Sequence, residues 1–318
     1  LLAQPPALRV DQAEAGLRLA SRRGHLTGQL VAYQRRSFHS LMNYTVFIAS
    51  GSGQFNTGVL FAESNLRNQG LELTLTADWQ RGRLHGSTRL AGSLNRNRYA
   101  SDLPQPYSPL PDNEPVGSYY GLQQDGLQPN GTRNLVPLTV NNASQRTPIS
   151  QGIPPQLLSL SQQLRLGRLA LDAQLDGLFG YQLVNYQLAY LDTPTGYTNS
   201  ATTVRDRWTP SHQNTDIPVA GSPAFPYYVG SDETPFSYQI ENASHIRLSS
   251  LTLTYRLRQT TTQDLSVWVG GQNLFVLSTY RGYDPNVSTG GAIASGAGQD
   301  YGAVPVPRTW LLGVSAGF

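Results

Sequence analysis

"SLTLTYRLR" (Ser250–Arg258) puts Leu251, Leu253, Tyr255 and Leu257 on one parity and Ser250, Thr252, Thr254, Arg256 and Arg258 on the other. Side chains on a strand alternate between faces, so a strand here has one apolar face and one polar face. The same period runs through other stretches. From Leu169 to Tyr181 the apolar or small set is Leu169, Leu171, Ala173, Leu175, Gly177, Phe179 and Tyr181, and Asp172, Gln174 and Asp176 oppose it. "LELTLTADW" sets Leu71, Leu73, Leu75, Ala77 and Trp79 against Glu72, Thr74, Thr76 and Asp78. The chain closes on Trp310, Leu312, Val314, Ala316 and Phe318 alternating with Thr309, Gly313, Ser315 and Gly317, with Leu311 off pattern.

About nine such segments are expected, near 13–21, 25–35, 68–80, 83–98, 156–166, 169–181, 245–258, 264–279 and 308–318. Most exceed the usual strand of about five or six residues. They suit the roughly 9–11 tilted residues that cross a bilayer. The connections alternate short and long. Tight turns are expected near Arg22, Arg81, Gly167–Arg168 and Thr261, and long connections over 36–67, 99–155, 182–244 and 280–307. Consecutive antiparallel strands put alternate connections on opposite ends of the sheet. One end therefore carries only turns and the other only loops, as in an outer-membrane barrel. A soluble β-sandwich also alternates, but does not account for long strands with this asymmetry. Trp79, Tyr181, Phe275 and Trp310 near strand ends fit an interfacial aromatic girdle. The fold class read here is all-β: part of an antiparallel transmembrane β-barrel in the outer membrane.

Composition narrows the function. The 318 residues include no cysteine, which excludes disulfides and thiolate metal sites. Charged residues make up 14 % and the formal net charge is +3. Every basic residue other than histidine is arginine. The arginines are scattered along the sequence, so no nucleic-acid surface is expected. No apolar run approaches the roughly 20 residues of a transmembrane helix. "LLAQPPALRV" lacks the charged and apolar regions of a signal peptide.

Several motifs, in order along the chain, resemble the SusC/RagA family of TonB-linked outer-membrane proteins. They are "NQGLELTL" (Asn68–Leu75), "PVGSYYGLQQDGL" (Pro115–Leu127), "DRWTPSHQNTDIP" (Asp206–Pro218) and "ENASHIRLSSLTLTYRL" (Glu241–Leu257). "GQNLF" with "YRGYDPNV" (Gly271–Val287) and "DYGAVPVPRTWLLGVSAGF" (Asp300–Phe318) complete the set. The resemblance implies a plugged barrel of Bacteroidota that imports oligosaccharides, peptides or other large nutrients. The implied partners are a SusD-like surface lipoprotein lid, the TonB complex, outer-membrane lipid and the barrel-assembly machinery. Phe318 would be the assembly signal of the last strand. No plug, TonB box or N-terminal domain is recognised, and an odd number of antiparallel strands cannot close on itself. Residues 1–318 are therefore expected to be the C-terminal part of such a barrel. The alternative is a small stand-alone outer-membrane barrel or surface binding protein not coupled to TonB.

No enzyme is expected. His25, His39, His85, His212 and His245 are dispersed, without metal-ligand spacing. No G-x-S-x-G elbow occurs. His245 is read as a packing residue. "GSGQFNTG" (Gly51–Gly58) lacks the Lys-Ser/Thr of a phosphate loop and is read as a surface loop. "LDTPTGYTN" and "YDPNVSTGG" lack spaced acidic ligands for calcium and are read as Asx-type turns. No cofactor or metal is implied. The ligand-contact candidates are the loop aromatics Tyr119, Tyr120, Trp208, Tyr227, Tyr228 and Tyr283, which could meet substrate or the lid.

Overall fold

A computed structural model describes residues 7–22, 25–49, 55–101, 113–136, 147–192, 199–221, 227–229, 232–234, 236–260, 263–289 and 297–317. Nine long strands form one sheet, in the order β1 (Arg9–Ala20), β2 (Leu26–Ala49), β3 (Phe55–Arg81), β4 (Leu84–Ser101), β9 (Gln156–Leu166), β10 (Leu169–Phe179), β15 (His245–Gln259), β16 (Asp264–Ser278) and β18 (Thr309–Gly317). Every neighbouring pair is antiparallel. The expected partial barrel wall is borne out, and its strands, apart from the far ends of β2 and β3, start and stop close to the windows read from the alternation. The remaining short strands lie in the long connections. They are β5 (Ser118–Gly121), β6 (Gln123–Leu127), β7 (Arg133–Val136) and β8 (Thr147–Gln151), then β11 (Gln182–Asn185), β12 (Tyr227–Val229), β13 (Asp232–Thr234), β14 (Ile240–Asn242) and β17 (Gln299–Asp300).

The strand register shows why alternation dominates the sequence. One outward row runs Leu17, Leu30, Leu73, Gly92, Leu158, Gly177, Ile246 and Leu277 across eight strands. The next runs Leu19, Gly28, Leu75, Leu90, Leu160, Leu175, Leu248 and Phe275. Many of these large apolar side chains are exposed, including Leu17, Leu73, Leu158 and Leu277. A soluble domain would bury such a face, whereas a lipid-facing wall presents it. The opposite face is polar. There Ser159 Oγ donates to Asp176 Oδ1 at 2.8 Å and Gln174 Nε2 donates to the same oxygen at 2.9 Å. Ser161 Oγ donates to Gln174 Oε1 at 2.6 Å, and Ser249 Oγ bonds Asp176 Oδ2.

Against β10, a register shift between Leu248 and Ser250 inserts one residue into β15, and against β16 the extra residue falls in β16. Opposite it, Asn273 has φ +53°. Such a bulge re-aims the strand. Leu248 before it and Leu251 after it both stay on the outward face. Near the turn end, Trp79 lies over Gly86, where an added Cβ would sit 2.2 Å from the indole. Its Nε1 donates to Thr88 Oγ1 at 3.1 Å, and Thr88 Oγ1 donates to Gln162 Oε1 at 2.7 Å. This outward polar pair is thus satisfied within the wall.

One expected loop is corrected. The stretch 36–67 is mostly strand, because β2 and β3 run to 24 and 27 residues. Their pairing continues to Ala49↔Phe55. Phe55–Gly58 of the expected surface loop belongs to β3, and Gly51–Gln54 lies outside the described residues.

Candidate functional site

The long connections fold together at one end of the sheet. β11 pairs antiparallel with β14 and parallel with β17, so segments from two of the long connections make one small sheet. Two apolar clusters support it. Tyr119, Leu122, Val184, Tyr186 and Phe236 form one, and Tyr181, Leu183, Ala243, Tyr280 and Val287 form the other. Tyr186 stacks on Tyr301 with ring centroids 4.0 Å apart. Burying polar backbone in loops is costly unless every group finds a partner, and here acidic and amide side chains supply many of them.

Asn185 opens the single-turn helix α1 (Tyr186–Leu191), its Oδ1 accepting from Leu188 N at 3.0 Å. Its Nδ2 donates to Glu241 Oε1 at 2.9 Å, and Glu241 Oε2 accepts from Arg281 N at 2.9 Å. Tyr280 Oη donates to Asp300 Oδ2 at 2.6 Å. Asp300 Oδ1 accepts from the amides of Gly302 and Ala303 at 2.8 and 2.9 Å. Arg247 at the base of β15 meets Asp284 at 2.5 Å, with side chains only 8 % and 4 % exposed. Asp284 Oδ1 also accepts from Asn286 N at 2.9 Å, the Asx turn expected from "YDPNV". Tyr181 Oη donates to the Pro285 carbonyl at 2.7 Å. His245 Nδ1 lies 3.0 Å from the Ala243 carbonyl, which can only accept, so Nδ1 carries the proton. His245 therefore packs, as its sequence context suggested.

Electrostatics follow from this burial. Burial raises the phenols of Tyr119, Tyr181 and Tyr280 well above the usual tyrosine range, and the Asp300 hydrogen bond pushes Tyr280 further. Burial lowers the Arg133 guanidinium, although it sits 3.5 Å over the Tyr238 ring. Among the described residues no three His, Asp or Glu side chains gather as a metal-ligand set.

The candidate aromatics are divided by the structure. Tyr119 is buried in the first apolar cluster. Trp208 is half-buried over Gly131, where an added Cβ would come within 2.5 Å of the indole. Tyr283 is 83 % exposed. Tyr120 lies in β5, and Tyr227 and Tyr228 lie in β12, placed by backbone alone. Phe318 lies outside the described residues. Tyr181, expected in the girdle, is instead buried among the loops, held by its bond to Pro285. Trp310, at 72 % exposure, stays on the outward face.

The comparisons agree with this geometry. The fold matches a solved structure of the RagAB peptide transporter with TM-score 0.77 over 98 % of this chain and 35 % of that one, at 21 % identity. The resemblance to SusC/RagA-type TonB-linked outer-membrane proteins is borne out. The RagAB peptide importer in its open-open state matches with TM-score 0.75 over 97 % of this chain and 34 % of that one, at 22 % identity. TonB-dependent receptor P3 of Formosa agariphila is 26 % identical over 237 residues, 66 % of this chain and 23 % of the receptor. TonB-dependent receptor P26 of the same organism is 33 % identical over 123 residues, 36 % of this chain and 12 % of the receptor. The chain thus spans less than a quarter of the curated relatives it matches. No family model matches it. The sheet is an outer-membrane wall, and the loop cluster lies on its extracellular side.

The alternation of the wall was legible in the sequence, but the polar ties were not. Their partners lie up to 114 residues apart, and no local pattern announces them. The available signal was the motifs themselves, since "ENASHIR", "YRGYDPNV" and "DYG" contribute Glu241, His245, Arg247, Tyr280, Asp284 and Asp300.

Proposed function

We propose that residues 1–318 form the C-terminal stretch of barrel wall in a TonB-dependent importer. Its plug and N-terminal parts would lie elsewhere in the same polypeptide. The cargo would be a large nutrient such as a peptide or oligosaccharide, and a SusD-like lipoprotein would close the extracellular side. One observation carries this reading. The chain matches a transporter wall along almost its whole length, yet among the described residues β1 and β18 each pair on one side only. Unpaired backbone groups in hydrocarbon cost several kcal/mol each, so further strands must continue the sheet.

In this reading the loop cluster is a fixed mount for contact residues. Tyr283 stands exposed beside Asp284, whose carboxylate is locked to Arg247. An exposed ring on a pinned loop meets substrate or lid with little ordering cost. Trp208, half-buried over Gly131, is the second candidate, Tyr119 supports the mount from within the first apolar cluster, and Tyr120, Tyr227 and Tyr228 in β5 and β12 complete the set. Two measurements test the reading. The native product in outer-membrane fractions, detected with an antibody to Gly271–Val287, is expected at more than twice the mass of this chain. A product of the chain's own mass would replace import with a small stand-alone barrel. In the intact transporter, Tyr283→Ala with Trp208→Ala is expected to weaken uptake or lid binding. Unchanged values for both would remove these residues from the site.

A further inference from the structure

A few of the arginines that are scattered along the sequence are gathered by the register. Arg36 pairs with Arg67 across β2 and β3, and Arg67 pairs with Arg98 across β3 and β4. Arg96 lies two residues below Arg98 on the same face, opposite Gln69. Neighbouring strands are about 4.8 Å apart, so three guanidinium groups start within about 10 Å of one another. All four share the parity of Leu71, Leu73 and Leu94, the outward face.

Their height on the wall is informative. On β4 the outward positions Leu84 to Leu94 carry no charge. That interval is about 33 Å along the strand, or about 25 Å along the membrane normal at a tilt of about 40°. It matches the apolar band of an outer-membrane barrel. Arg96 and Arg98 follow at the next two outward positions, about 5 and 10 Å above the band by the same geometry. This is headgroup level, on the loop side of the sheet.

Like charges directly opposite each other on neighbouring strands repel, and nothing among the described residues neutralises these. Asp11 faces Arg36 in the register but is held by Arg9, at 2.8 and 2.9 Å. Arg67 donates to the neutral Gln34 Oε1 at 2.8 Å. Arg98 Nε is buried with no hydrogen-bond partner. A groove of about 250 Å³ runs between Arg36, Arg67 and Arg98. Guanidinium forks match phosphate oxygens in bidentate pairs.

We infer that Arg36, Arg67, Arg96 and Arg98 hold the phosphate of a phosphorylated glycolipid in the outer leaflet. The apolar band directly below them receives its acyl chains. The site rests on the membrane-wall fold and is independent of what the protein imports.

The test uses the protein extracted from outer membranes in detergent, with monophosphorylated lipid A as the probe. Binding is read by native mass spectrometry, and folding by heat-modifiable migration. Each Arg→Gln change at 36, 67 and 98 is expected to weaken binding about fivefold, and the triple variant about a hundredfold. Arg205→Gln with Arg207→Gln, in the loops, should leave binding unchanged. Should the triple variant fail to fold, Arg67→Gln alone decides. Wild-type binding by the folded arginine variants would overturn the site. Equal binding of dephosphorylated lipid A would overturn the phosphate chemistry. Full competition by millimolar inorganic phosphate would mark a free-anion site and overturn the lipid assignment.

Discussion

Asp284→Ala removes the acceptor at the centre of the loop cluster. It leaves Arg247 charged, buried and without its counter-ion, because Asp284 is the carboxylate it meets. It also releases the amides of Asn286 and Val306, which Asp284 accepts at 2.9 and 3.4 Å. Breaking a buried ion pair from one side costs about 3–5 kcal/mol. The wall does not depend on this contact, so the loss falls on the loops that Asp284 ties together. Opening of the 280–289 and 300–307 segments should therefore become more frequent by about two to three and a half powers of ten. Hydrogen exchange by mass spectrometry, on the protein in detergent, reads this directly. Protection should fall in those segments and in 241–247, while the 156–179 wall strands keep theirs. Arg247→Met combined with Asp284→Leu removes both charges and should recover much of the loss, since replacing a buried pair by apolar residues is close to neutral. A change below tenfold for Asp284→Ala would refute the assignment of this pair as the lock of the cluster.

Further outcomes follow from the same geometry. Gly86→Ala forces the Trp79 indole off its seat and breaks its bond to Thr88; a loss of about 1–3 kcal/mol is expected, seen as heat-modified migration at lower temperature. Tyr119, Tyr181 and Tyr280 should ionise later than exposed tyrosines in an absorbance titration at alkaline pH. Because their folded values are raised, their contribution to loop stability is complete below about pH 10 and is lost as pH rises further. A titration in which every tyrosine ionises together would contradict their burial. Deleting Phe318 should lower the amount of heat-modifiable protein inserted in the outer membrane, and normal insertion would count against an assembly role.

Much of the wall can be read from the chain because one physical demand acts on every strand. Lipid on one side and a polar interior on the other force period two through Leu71–Trp79, Leu169–Phe179 and Leu251–Leu257. Even the bulge has a trace, since the Ser249–Ser250 doublet interrupts the alternation where β15 gains its extra residue. Above the apolar band the demand lapses. Residues 36–49 and 55–67 remain paired as strands but no longer alternate, which is why they read as a loop. The loop cluster is illegible for a different reason. Asn185, Glu241, Asp284 and Asp300 look like ordinary turn residues until the fold brings them together, and the arginine patch depends on register between three strands.

The parallel pairing of β11 with β17 has a consequence for the last strand. Val184 and Asn185 face Gln299 and Asp300, and Val184 N also donates to the Gly298 carbonyl at 2.9 Å. These bonds fix the chain a few residues before β18 to the loop that follows β10. Among the described residues β18 itself pairs only with β16, and sliding it by one residue would turn Trp310, Leu312 and Val314 inward. With its approach anchored on the extracellular side, only the eight residues 301–308 between β17 and β18 are left to take up a slide. The small loop sheet thus serves as a stop that sets the alignment of the terminal strand from outside the membrane.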